Sequence, residues 1–131
     1  MIGVDTNLLV RILVEDDPEQ LRRARTLLNG AAERSESAFV ADIVLAELEW
    51  VLEDAYEVPR ARILQALQAI VAAERFDFAD RRRVVQALEL YQNGKAELSD
   101  YLIGLSGFQH GASTTYTFDR DLRDDERFTL L

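Results

Sequence analysis

The sequence predicts an α/β fold, in which short apolar strands alternate with amphipathic helices and imply a mainly parallel sheet covered on both faces. Three observations carry this reading. Strand-like runs recur at residues 1–4, 37–41, 76–78, 114–118 and 128–131. The stretches between most of them place apolar residues at helical rather than alternating spacing. The 131-residue chain is 48% apolar and 30% charged, an ordinary globular composition. It holds only two prolines, no repeat and no Ser/Gly-rich linker, so a single domain over 1–131 is expected.

Each element has its own signal. A buried strand over 1–4 stops at the polar turn Asp5-Thr6-Asn7, where Thr6 or Asn7 is expected to cap a helix through Val14. Asp16-Asp17-Pro18 starts a second helix, with Pro18 in its first turn. That helix runs to about Arg34, with Leu21, Ala24, Leu27 and Leu28 as its apolar stripe. After the strand at 37–41, Asp42 caps a helix over 43–56 striped by Val44, Leu48, Val51 and Ala55. A further helix follows Pro59 and turns Ile63, Leu67, Ile70 and Val71 inward. A short strand at 76–78 leads to a helix over 80–91 that stops at Asn93-Gly94.

The next helix, over 99–110, is apolar almost all round and should be buried. Leu98, Tyr101, Leu102, Leu105 and Phe108 make one face; Asp100, Gly104, Gly107 and Gly111 make another. Glycine inside a helix costs about 1 kcal/mol relative to alanine. The glycine line is therefore expected where the helix backbone comes close to the sheet. The β-branched and aromatic residues at 114–118 read as a strand, and an extended piece at 128–131 closes the chain.

Composition excludes several chemistries. Without cysteine there is no disulfide framework, no thiolate nucleophile and no Cys-ligated metal. His110 is the only histidine. It stands roughly 15 Å from Asp100 at 1.5 Å rise per residue, and reads as a helix-end residue rather than a catalytic base. No run of 18 apolar residues suggests a membrane span, and the opening MIGVDTN lacks the features of a signal peptide, so a cytoplasmic location is expected. Fifteen basic against 24 acidic residues give a net charge of -9. That argues against general electrostatic capture of nucleic acid. Fourteen of the fifteen bases are arginine, and Lys95 is the only lysine.

Four carboxylates stand out by position. Ligands of parallel sheets bind beyond the carboxyl ends of the strands, and Asp5 and Asp119 end the strands at 1–4 and 114–118. Glu47 falls inside the apolar stripe of its helix, whereas Glu49 and Glu53 read as solvated. Asp100 sits at the N-terminal end of the glycine line. Singly, each has an ordinary role: turn former for Asp5, stripe edge for Glu47, helix-dipole partner for Asp100, cap of a short turn for Asp119. Jointly they are expected to point toward one crevice. Two unit charges 4 Å apart repel by about 4 kcal/mol at an effective dielectric near 20, so four would protonate or hold a cation. All-oxygen ligands favour Mg²⁺ or Mn²⁺ over zinc.

Val4-Asp5-Thr6-Asn7, Ala46-Glu47-Leu48, Leu98-Ser99-Asp100-Tyr101-Leu102-Ile103 and Thr117-Phe118-Asp119-Arg120-Asp121-Leu122 together resemble the motif series of PIN-domain nucleases, and in particular VapC-type toxins of bacterial toxin–antitoxin pairs. The resemblance covers essentially the whole chain; Ser99 and Tyr101 stand where alanines are common in that family. It implies a three-layer α/β/α fold and a metal-dependent endoribonuclease, with Asp5, Glu47, Asp100 and Asp119 as catalytic carboxylates and metal ligands. Asp121 matches a peripheral acid of some members, and Thr6, Asn7 and Thr117 would support the ligands. Hydrolysis by water activated on Mg²⁺ (Mn²⁺ as the alternative) would leave a 5′ phosphate and a 3′ hydroxyl. The resemblance also implies a homodimer and a small VapB-type antitoxin covering the acidic crevice. Arg11, Arg81 and Arg82 are candidates for holding RNA, while Trp50, Tyr101 and Tyr116 are expected in the core or an interface rather than as base-stacking platforms. Two alternatives stay open: a PIN-fold nuclease outside a toxin pair, acting in RNA processing or on DNA, and a catalytically silent binding module.

Overall fold

The computed structural model describes residues 1–131, which divide into two compact units, Met1–Arg81 and Arg82–Leu131.

The first unit is built on a three-stranded sheet, β1 (Ile2–Gly3), β2 (Ala38–Phe39) and β3 (Phe76–Asp77), in that order. All pairings are parallel, with Ile2 opposite Ala38 and Ala38 opposite Phe76. Parallel neighbours need long crossovers. Here α1 (Thr6–Val14) and α2 (Pro18–Glu33) make the first. The second is α3 (Asp42–Trp50), a π-helical turn (Val51–Ala55) and α4 (Arg60–Ala72). Ile63, Leu67, Ile70 and Val71 of α4 are all buried, as their spacing predicts. The start of α2 is also as read: Asp17 accepts a hydrogen bond from the Gln20 amide at 3.0 Å, with Pro18 in the first turn. Leu27 departs from the expected stripe and is 44% exposed, because Ala24, Leu28 and Ala31 form the buried line instead.

The second unit holds α5 (Arg81–Asn93, entered at the junction), α6 (Leu98–Gln109), β4 (Thr115–Thr117), a 3₁₀ turn (Arg120–Leu122) and β5 (Phe128–Leu130). Strands β4 and β5 pair in parallel, with Thr115 opposite Phe128. The glycines of α6 meet this small sheet as expected. A Cβ on Gly104 would lie 2.5 Å from the Phe128 ring, and one on Gly107 would lie 2.9 Å from Thr115 Oγ1. After His110, Gly111 takes φ +99 and ends the helix. Phe108 is not on the buried face; it is 66% exposed, since Leu98, Tyr101, Leu102, Gly104 and Leu105 define the inward side.

The expected α/β class with parallel strands is thus what the chain adopts. No helix is long and apolar enough to cross a membrane.

Candidate active site

In the first unit, β1 delivers Asp5. Its backbone is extended (φ -92, ψ 164), and its Oδ1 accepts from the Thr6 amide at 2.7 Å, so Asp5 itself caps α1. This corrects the expected cap at Thr6 or Asn7: an acid that ends a strand satisfies the first free amide of the following helix. Asp5 and Asn7 are exposed, whereas Thr6 is buried and its Oγ1 has no hydrogen-bond partner.

Helix α3 corrects two further expectations. Asp42 lies inside the helix, Ala41 occupies the cap position, and no side chain caps this end. The buried line is Val44, Leu45, Ala46, Leu48 and Glu49, which leaves Ile43, Glu47 and Trp50 on the outward line. Glu47 is therefore exposed, and Glu49, expected in solvent, is 1% exposed. The cause is the composition of α3, apolar on nearly every side, so spacing alone does not fix which side faces in. The π-helical turn that follows shifts the phase once more and leaves Ala55 exposed, although it was expected in the stripe.

In the second unit, Asp100 stands in the first turn of α6 as half of a capping box. Its Oδ2 accepts from the Glu97 amide at 3.1 Å, while the Glu97 side chain accepts from the backbone of the third helical residue. Asp119 follows β4 and caps the 3₁₀ turn, with Oδ1 accepting from the Asp121 amide at 2.9 Å. Its own amide donates to Thr117 Oγ1 at 3.0 Å. Loss of hydration on burial pushes the Asp100 carboxyl above its ordinary range; the Glu97 amide opposes that shift, and the charges of Asp119, Glu97 and Asp121 reinforce it. Asp100, Asp119 and Asp121 therefore share one electrostatic neighbourhood. No three carboxylates form a ready-made ligand cluster.

These residues suit a divalent cation in donor chemistry. They are hard oxygens, one of them partly buried among like charges, and Thr6 adds an unsatisfied buried hydroxyl beside Asp5. A cation near Asp100 would offset the repulsion that raises its proton affinity.

The arginines sort by what they touch. Arg11 donates to Gln20 Oε1 at 2.5 Å, to Asp16 Oδ1 at 3.0 Å and to the Tyr56 hydroxyl at 3.2 Å, tying α1 to the start of α2 and to the end of the π-helical turn. Arg81 donates to the carbonyls of Val71 and Phe76, the latter at 2.7 Å, and lies over the Phe78 ring at 4.9 Å. Both use their fork geometry inside the unit, a role that composition could not reveal. Arg82 is exposed. Spacing gave no hint of a groove of about 780 Å³ in the second unit, where Lys95, Arg120 and Arg123 face Asp121, Asp124 and Glu126.

The sequence profile of the PIN domain matches residues 2–126. Neither the curated proteins nor the solved structures gave a match.

Proposed function

Because the chain belongs to the PIN-domain family, whose members are typically metal-dependent nucleases, we propose that it is a Mg²⁺-dependent endoribonuclease and the toxin of a VapBC-type pair. The two units would work as one PIN domain of the three-layer α/β/α class. The observation that carries the proposal is the neighbourhood of Asp100: a partly buried carboxylate with raised proton affinity, set among Asp119 and Asp121 on motifs that such nucleases use. Perturbed carboxylates of this kind mark functional sites more often than surface acids do.

In this reading Asp5, Glu47, Asp100 and Asp119 are the acids of the reaction, and Asp121 is peripheral. A Mg²⁺ or Mn²⁺ held by these carboxylates would supply Lewis acidity and lower the pKa of water. The chain's own part is orientation. Capping ties one oxygen of each of Asp5, Asp100 and Asp119 to a backbone amide, which restrains the carboxylate and leaves its second oxygen for a ligand. Thr117 steadies the Asp119 backbone, and Thr6, next to Asp5 in sequence, carries a buried hydroxyl without a partner. Products would carry a 5′ phosphate and a 3′ hydroxyl.

A cytoplasmic chain, a homodimer and a VapB-type antitoxin complete the proposal. A basic antitoxin side chain would complement the acids.

The test uses the purified chain, a labelled RNA pool, and Mg²⁺ against EDTA, with the cleaved ends mapped. Cleavage should need the metal and fall at least a hundredfold in Asp5→Ala and Asp100→Ala. Metal-independent cleavage, or unchanged cleavage in both variants, would refute the assignment. A DNA pool run in parallel separates ribonuclease from general nuclease.

A further inference from the structure

We propose that the end of β4 is a base-stacking platform, on which Tyr116 and Phe118 hold unpaired nucleobases of single-stranded RNA beside Asp119. The inference deepens the ribonuclease reading above and rests on it. Tyr116 is 65% exposed and Phe118 80% exposed. Burial alternates along this stretch: Thr115 and Thr117 are half-buried, with Thr115 against Gly107 of α6, and the two rings stand outward. Tyr116 lies on β4 and Phe118 directly follows the strand's last residue, so the two exposed rings stand two residues apart at its end. Residues two apart on a strand are separated by about 6.8 Å, roughly twice the ~3.4 Å step of stacked bases. Rings at that spacing suit a base held between them or one base on each.

The following residues supply the rest of a nucleotide site. Asp119 comes directly after Phe118. Arg120, next in turn, is exposed and supplies a guanidinium of the kind that meets a phosphate.

Charge decides which force must dominate. The chain carries -9 overall, and the adjacent groove is lined by four basic and four acidic residues, so it has no cationic surplus. Affinity for RNA cannot then come chiefly from phosphate neutralisation. Stacking is insensitive to net charge, and losing one stacking ring weakens binding by roughly tenfold. A protein partner is the weaker candidate for this face. A stable interface takes about 800 Å² from each side, and two rings offer only part of that.

The probe is a 12-nucleotide single-stranded RNA bearing one 2-aminopurine, with its duplex form for comparison, titrated in EDTA so that binding is read without cleavage. The single strand should bind with 2-aminopurine quenching, and the duplex should not quench. Tyr116→Ala and Phe118→Ala should each weaken binding about tenfold, while Tyr116→Phe and Phe118→Tyr keep the ring and the affinity. Phe108→Ala removes another exposed ring and should change nothing. The slope of log affinity against log salt should stay shallow, near -0.7 for one neutralised phosphate. Circular dichroism checks that each variant is folded.

Unchanged binding in both alanine variants, equal binding of the duplex, or a steep salt slope would overturn the platform. So would a change of oligomeric state in the alanine variants without loss of RNA binding, which would make this face a protein interface. Cleavage assays on the same samples separate the two proposals. Stacking without metal-dependent cleavage removes the nuclease and keeps the platform, whereas normal cleavage and binding after loss of both rings removes only the platform.

Discussion

Gly104 on α6 and Phe128 on β5 are in direct opposition: a methyl group at position 104 would lie 2.5 Å from Cε2 and 2.7 Å from Cζ of the ring. Phe128 is buried, so its ring cannot swing freely into solvent. Gly104→Ala would gain about 1 kcal/mol of helix propensity. Overpacking against the ring costs about 1–3 kcal/mol, and the clash should win. A net loss of about 1 kcal/mol is expected in thermal or urea unfolding. Adding Phe128→Leu should recover part of it, because the steric term then falls while the propensity gain remains. Gly104→Ala melting above the parent would show that the glycine is there for another reason.

The Asp100 carboxyl makes a pH-dependent contribution whose sign follows from its raised proton affinity. The folded chain holds this proton more tightly than the unfolded chain does. Stability therefore falls as pH rises from the ordinary carboxylate range through the raised folded value. Once ionised, Asp100 opposes folding. Asp100→Asn keeps an oxygen for the Glu97 amide and removes the charge. In EDTA it should raise the melting temperature at neutral pH, and the advantage should disappear in acid below the ordinary carboxylate range. With Mg²⁺ added, the parent should gain more than the variant. A parent more stable than Asp100→Asn in EDTA at neutral pH would contradict the desolvation account.

At Asp16 the sign is opposite. The Tyr56 hydroxyl donates to Asp16 Oδ2 at 2.9 Å, Arg11 pairs with Oδ1 at 3.0 Å, and together they hold this carboxyl below its usual range, Tyr56 contributing most. A lowered folded value gives stability that is present above the ordinary carboxylate range and lost as pH falls through the lowered value. Tyr56→Phe should therefore destabilise the chain near neutral pH and converge with the parent in strong acid. Urea midpoints across an acid series provide the check. The same cluster bears on Arg11: if its work is to bridge α1, α2 and the π-helical turn, Arg11→Ala will lower stability more than RNA affinity.

What could be read in advance depended on whether neighbours in sequence decide the outcome. The α4 face was legible because its four apolar residues repeat at one spacing, and the start of α2 because Asp17-Pro18 is a local signal. The glycine line of α6 was legible for a similar reason, since interior glycines are costly unless a close approach requires them. Glu47 and Glu49 were not legible. Helix α3 is apolar on nearly every side, and its rotation is set by packing partners distant in sequence. Arg81 was hidden too, because two carbonyls left open at Val71 and Phe76 become visible only once α4 and β3 are built. At Asp5, Asp100 and Asp119 the ordinary capping role and the proposed catalytic one coexist. A cap occupies one carboxylate oxygen and leaves the other to a ligand.

Thr6 separates stability from function. Its side chain is buried at 4% exposure, and Oγ1 finds no partner within the chain. An unsatisfied buried hydroxyl costs about 1–3 kcal/mol. Thr6→Val keeps the branched shape, removes the hydroxyl and leaves the backbone amide that donates to Asp5. If the hydroxyl serves only the fold, it is a defect, and valine should stabilise the chain by about 1 kcal/mol with cleavage unchanged. If it orients the reacting groups beside Asp5, the same substitution should still raise the melting temperature but lower Mg²⁺-dependent cleavage by roughly tenfold or more. We expect the second outcome, because an orphaned hydroxyl next to a proposed catalytic carboxylate is a cost that folding alone does not require. Melting curves and cleavage rates on one preparation decide it, and a less stable Thr6→Val would mean that the hydroxyl has a partner in solution.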